Sequence, residues 1–90
     1  MCRNIRVLHH FAPPTTDDEI HAAALQYVRK VSGLAKPPAS AEANAAFARA
    51  VEEVAASTKA LLHALPERGS ARTREGEREK ARVRWVRRAG

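Results

Sequence analysis

Residues 40–66 read SAEANAAFARAVEEVAASTKALLHALP, and this stretch decides the fold. Ala43, Phe47, Ala50, Val51, Val54, Thr58, Leu61, Leu62 and Leu65 fall on one side of a helical projection. Glu42, Arg49, Glu52, Glu53, Lys59 and His63 fall on the other. The period predicts a helix from about Ser40 to Leu65 that stops at Pro66. The alanines on the apolar stripe let another backbone approach closely.

A second helix is predicted upstream, from about Asp17 to Ser32. Thr16 is a good N-cap, and Glu19 three places later completes a capping box. Asp17, Asp18 and Glu19 set negative charge on the positive end of the helix dipole, and Arg29 and Lys30 set positive charge near the other end. Gly33 fits the left-handed position that closes a helix. Ile20, Ala24, Tyr27 and Val31 form the expected apolar stripe, widened by Leu25 and Val28. A linker, residues 33–39, contains Pro37 and Pro38. Residues 1–12 make a short arm whose pattern fits helix and strand equally, and Pro13-Pro14 ends it.

The expected fold class is therefore all-α, an amphipathic helical hairpin of two main helices with a short N-terminal arm. A hairpin alone leaves an apolar face in water. Either residues 1–12 or a second copy covers it, and the favoured expectation is a homodimer forming a four-helix bundle. The expected division is a hairpin domain over residues 1–66 and a basic tail over residues 67–90. That tail holds nine Lys/Arg and four Glu of a chain whose net charge is +6, so the rest is nearly neutral. Glu75–Arg78, Glu77–Lys80 and Glu79–Arg82 are spaced to support a helix. Apolar residues there are too sparse to anchor one, so the tail is expected to be disordered or marginally helical.

Ninety residues make one domain at most, with a modest core. Cys2 is the only cysteine, so no disulfide forms within the chain, which favours a reducing, cytoplasmic setting. No apolar run approaches the roughly 18 residues of a membrane span, and no secretory signal is expected.

Several words of the sequence resemble the bacterial family catalogued as domain of unknown function 2277. They are Met1-Cys2-Arg3-Asn4-Ile5, Pro13-Pro14-Thr15 with Glu19, Gln26-Tyr27-Val28-Arg29-Lys30-Val31-Ser32-Gly33, Lys36-Pro37, and the Phe47…Ala50-Val51 spacing. The resemblance spans roughly residues 1–65, and beyond that the tail is similar only in being basic. It implies a fold and a set of motif residues, and no activity. His9 and His10 lie outside those words.

Candidate sites follow from residue chemistry. Removal of Met1 would leave Cys2 with a free amine and thiol, and Arg3 beside it favours the reactive thiolate. Cys2, Arg3 and Asn4 thus make a thiol motif, against the ordinary reading of an inert thiol packed on the hairpin. Cys2, His9, His10 and His21 are the only candidates for zinc or copper, and their spacing is irregular, so no cofactor is expected. His21 is expected to be half-buried at the edge of the apolar arc. Asp17, Asp18 and Glu19 are read as helix caps rather than as acid–base groups. Arg29 and Lys30 suit phosphate, and also suit the last turn of any helix. In the tail, Arg78, Lys80, Arg82, Arg84, Arg87 and Arg88 surround Trp85. Arginines neutralise phosphates and tryptophan stacks on unpaired bases, so this is the leading polyanion candidate. The ordinary reading there is a solvated terminus.

The leading expectation is a non-enzymatic binding or assembly module whose tail contacts nucleic acid or an acidic partner. A thiol or metal protein acting through Cys2 is second. A small-molecule binder or enzyme accessory subunit, using the groove between arm and hairpin, is third. A helix-turn-helix reader fits poorly, since the inter-helix linker is seven residues and the outer face of the second helix is slightly acidic.

Overall fold

The computed structural model describes residues 3–89, and its regular structure is all helical: α1 Asp17–Ser32, α2 Ala41–Ala64 and α3 Arg74–Ala89. Both ends of α1 follow the sequence. The Thr16 hydroxyl accepts from the Glu19 N–H, and the Glu19 carboxylate accepts from the Thr16 N–H at 2.9 Å. Gly33 closes the helix at φ 73°, a left-handed conformation that costs a glycine little. Ser40 caps α2 through the Ala43 N–H, and α2 ends just before Leu65 and Pro66.

α1 and α2 pack as the expected hairpin around Ala24, Val28, Phe47 and Val51. The inward stripe of α1 is Ile20, Ala24 and Val28, while Tyr27 and Val31 are exposed, which corrects the expected Tyr27–Val31 edge. The facing surface of α2 offers one aromatic, Phe47, among small residues, and covers only a narrow arc of α1. Ala24 permits that close approach and Tyr27 falls on its flank. α2 is also eight residues longer than α1, or about 12 Å at 1.5 Å per residue. Lys59 already meets Asp17 at 3.0 Å, so Leu61 and Leu65 overhang the start of α1 and stay exposed.

Residues 3–12 of the arm form neither helix nor strand. The arm bends across the hairpin and buries Leu8 and Phe11, which gives the open face part of its cover. The Thr15 hydroxyl donates to the Leu8 carbonyl and holds the arm to the approach of α1.

The largest correction concerns residues 67–90. The chain turns back from Pro66, pairs with the arm and then forms the sixteen-residue helix α3. The Arg72 N–H donates to the His10 carbonyl at 2.8 Å, and Arg72 returns its own carbonyl to the Ala12 N–H at 2.9 Å. Arg74 donates Nε and Nη2 to the two oxygens of Glu19 at 3.0 and 2.7 Å, donates Nη1 to the Pro13 carbonyl, and lies over the Phe11 ring. The anchor is thus a forked charged hydrogen bond and not apolar burial, which is why a search for apolar residues misses it. Thr73 caps α3 through the Gly76 N–H at 2.9 Å, and a Cβ at Gly76 would sit 2.8 Å from that hydroxyl, so cap and glycine belong together. Glu77–Lys80 and Glu79–Arg82 pair as their spacing implies. Beyond its first turn α3 packs on neither α1 nor α2 and buries no residue.

Two outcomes test this arrangement. Phe47→Ala should cost about 3 kcal/mol or more by denaturant unfolding, enough to remove most of the stability of a domain this small. Arg74→Ala should strip hydrogen-exchange protection from the amides of α3 while those of α1 and α2 keep theirs. Unchanged protection would mean that the internal ion pairs hold α3 without its root.

Candidate functional site

Three features of the described residues carry chemistry: a basic cleft on α1, an apolar groove under the arm, and the outer length of α3.

The cleft forms where the start of the arm passes the end of α1. The Asn4 N–H donates to Gln26 Oε1 at 2.8 Å, and this bond draws two segments 22 residues apart onto one surface. The resulting cleft, about 580 Å³, is lined by Arg3 and Asn4 from the arm, by Ala22, Leu25, Gln26, Arg29 and Lys30 from α1, and by Gly33, Leu34 and Ala35. The sequence places Arg3 and Asn4 beside Cys2 in one motif, and Arg29 and Lys30 with the tail cations as polyanion candidates. The structure brings these four together instead. Cys2 lies outside the described residues. Among the described residues Arg3, Arg29 and Lys30 have no ion-pair partner, and no carboxylate lines the cleft.

The groove lies between arm and hairpin, as foreseen for a small-molecule site, and is open with a volume of about 410 Å³. Ile5, Val7, Leu8 and His9 face Ala23, Tyr27, Val54, Thr58 and Leu62 across it. His9 Nε2 is buried without a hydrogen-bond partner among the described residues.

The histidines do not form a metal set. His10 is engaged at both ring nitrogens, Nδ1 with Glu67 Oε2 and Nε2 with the Gly69 carbonyl, each at 3.0 Å. His21 is exposed, not half-buried as expected, with its ring 4.0 Å from Glu52. It sits on the outer flank of the hairpin, because the core arc is narrower than the sequence stripe. Among the described residues no three His, Cys, Asp or Glu side chains gather as metal ligands would.

His10 instead closes the turn that returns the tail to the arm. Its neighbours are a carbonyl and a carboxylate, both acceptors, so both ring nitrogens serve best as donors and the imidazolium is favoured. The pKa is raised from 6.5, chiefly by the Gly69 carbonyl and further by Glu67, against opposition from partial burial and Arg72. The backbone at His10 is left-handed, φ 61°, a conformation uncommon outside glycine that histidine adopts more readily than most residues.

Glu19 is the second functional residue whose wider role the sequence hid. Its pKa is strongly lowered, first by the Arg74 guanidinium, then by the Thr16 N–H and by Arg6. Its capping position was legible, but Arg74 lies 55 residues away and no local spacing links the two. Asp17 and Glu19, read from the sequence as caps of α1, are also tied to other elements: Asp17 pairs with Lys59, and Glu19 is saturated with donors.

α3 presents the predicted polyanion residues. Lys80 and Arg82 are paired with Glu77 and Glu79, while Arg78, Arg84, Arg87 and Arg88 have no ion pair among the described residues. Trp85 is 68% exposed. Lys80, Arg84, Arg87 and Arg88 lie along one side at helical spacing, and Trp85 sits one turn beyond Arg82 on the other. No helix among the described residues is long and apolar enough to cross a membrane.

A family model described as Uncharacterized conserved protein (DUF2277) matches residues 1–80. The match passes the end of the hairpin and takes in Arg72, Arg74 and the first turns of α3, further than the words legible in the sequence. No curated protein and no solved structure matches the chain.

The His10 contacts predict a pH dependence. A pKa raised in the folded state gives stability that is fully present below the ordinary value of 6.5 and is lost as pH rises through the raised value. Thermal unfolding between about pH 5.5 and about pH 8.5 should therefore show the native protein losing its margin over His10→Gln as pH increases. A constant difference across that range would show that the ring contributes no protonation-dependent stability.

Proposed function

We propose that this chain, which belongs to the DUF2277 family of uncharacterised conserved proteins, is a non-enzymatic binding module that presents α3 to single-stranded nucleic acid. One observation carries the reading. From Lys80 to Ala89 the helix holds five cations and no carboxylate, and an exposed tryptophan stands among them. A tryptophan left in water on a helix with no apolar partner costs solubility unless something stacks on it. The arginines around it neutralise phosphates, and the ring offers a face to an unpaired base.

The root of the helix supports the same reading. A free peptide of this composition is at best marginally helical, and it would lose affinity to the cost of ordering. The Glu19–Arg74 fork, the Thr73 cap and the two Glu–Arg/Lys pairs prepay that ordering in the first half of α3. Among the described residues the second half packs on no other helix.

Fluorescence anisotropy with a labelled single-stranded oligonucleotide tests the proposal on the full chain. Binding should weaken with salt, and Trp85 emission should change on saturation. Arg84→Ala, Arg87→Ala and Arg88→Ala together should flatten the log–log salt slope by about 2, from roughly 0.7 per single-strand phosphate contact. Trp85→Ala should cost about 1–3 kcal/mol of binding. An unchanged salt slope in the triple variant would refute the assignment. Equal binding of polyglutamate, with no change at Trp85, would identify an acidic polypeptide as the partner instead.

The assembly half of the reading concerns the groove. Ile5, Val7 and Tyr27 are all about half exposed at its rim. A second copy seated there would bury them, and a concentration-dependent sedimentation coefficient is its signature.

A further inference from the structure

The cleft between the arm and the end of α1 has a composition that neither helix capping nor the proposed role of α3 accounts for, and from it we infer that this is a binding site for a small phosphorylated ligand, held by Arg3, Arg29 and Lys30 and oriented by Asn4 and Gln26.

The first step is charge. Six cations of the described chain sit against carboxylates (Arg6 and Arg74 on Glu19, Lys59 on Asp17, Arg49 on Glu53, Lys80 on Glu77 and Arg82 on Glu79), and seven outside the cleft have no ion pair but gather on no shared cleft with an acid-free lining. Arg3, Arg29 and Lys30 converge on one cleft with no acid in its lining. Two of the three satisfy the negative end of the α1 dipole. Arg3 does not belong to that helix. It comes from the arm and is brought alongside by the Asn4–Gln26 bond, against the repulsion of the two cations already there. A bound anion turns that repulsion into attraction.

The second step is polarity. Gln26 Oε1 accepts from the Asn4 N–H, so its amide nitrogen is a donor with no partner among the described residues. The side-chain amide of Asn4 stands in the same lining. Neutral donors beside two guanidinium forks suit an oxyanion with several acceptor oxygens. A monocarboxylate would leave two positive charges unmatched, whereas a phosphate monoester near neutral pH carries most of two negative charges.

The third step is size. The cleft, at about 580 Å³, lies within the range of roughly 300–1,000 Å³ that suits organic ligands. Leu25 and Leu34 give it an apolar wall. The ligand is accordingly an organic phosphate whose body has an apolar face, rather than inorganic phosphate. The site is independent of the proposed nucleic-acid surface. α3 is rooted at Glu19 in the first turn of α1, and Lys30 lies eleven residues further along, about 16 Å at 1.5 Å per residue.

Isothermal titration of the full chain tests the inference, with a panel of phosphate monoesters on nucleoside, sugar and aromatic bodies, each beside its dephosphorylated form and beside inorganic phosphate. At least one monoester should bind with one-to-one stoichiometry, and loss of its phosphate should weaken it by roughly tenfold or more. Arg3→Ala and Arg29→Ala, both at exposed positions where the fold should survive, should each weaken it by a similar factor, with circular dichroism unchanged. The α3 triple variant should bind the monoester normally. Failure of every monoester to bind at millimolar concentration would overturn the inference. So would binding that survives Arg29→Ala, or that is lost only in the α3 variant, which would place the phosphate on α3.

Discussion

Glu19 joins the arm, α1 and α3. Its carboxylate closes the first turn of α1 through the Thr16 N–H, accepts Arg6 from the arm, and accepts two hydrogen bonds from Arg74 at the head of α3. The core alone could not do this. Among the described residues only seven are well buried, one of them an alanine, and no side chain is fully enclosed. With so little apolar area, the attachment of the third helix falls to a charged fork in a partly shielded position. There a bidentate guanidinium–carboxylate pair is stronger and more directional than an ordinary surface ion pair. The lowered pKa of Glu19 is the same fact in another form. The donors around it favour the carboxylate, so its contribution to stability is present above the ordinary carboxylate range and is lost as acid protonates it.

Much of this was legible in the residues. Both helices of the hairpin, their caps and the Pro66 stop follow from local rules, and Thr16, Glu19, Gly33 and Ser40 do in the structure what their types imply. Three things were not legible. The inward arc of α1 depends on how few bulky groups α2 offers, which no single-helix pattern contains, so Tyr27 and Val31 were assigned inward and lie outward. The order of α3 depends on Arg74 finding a carboxylate 55 residues away. The cleft depends on a backbone N–H from the arm reaching Gln26, a residue whose motif membership was visible but whose partner was not. In each case the missing information is a contact between distant segments, and composition is silent about those.

The placement of cations divides by task. Arg6, Lys59 and Arg74 tie elements together and are matched by acids on other elements. Lys80 and Arg82 are matched within α3 and stiffen it. Of the cations without an ion pair among the described residues, Arg3, Arg29 and Lys30 gather at the end of α1 and Arg84, Arg87 and Arg88 on the far half of α3, while Lys36, Arg68, Arg72 and Arg78 stand elsewhere. The pairs between elements lie where the fold needs joining, while the cleft and the far half of α3 gather unmatched cations on open surface.

This division has a consequence for salt. Surface charges more than about 8–10 Å apart are largely screened at physiological ionic strength, while a close pair with little water around it is screened much less. The Glu19–Arg74 fork has contacts of 2.7 and 3.0 Å, with the carboxylate mostly covered. Attraction between the exposed arginines of α3 and a polyanion is of the other kind, since it acts through water and releases counterions. Rising salt therefore weakens the outer interaction before the inner one. On the proposed function, the helix would stay rooted and formed while a bound polyanion leaves, so that association would be reversed without unfolding the element that mediates it.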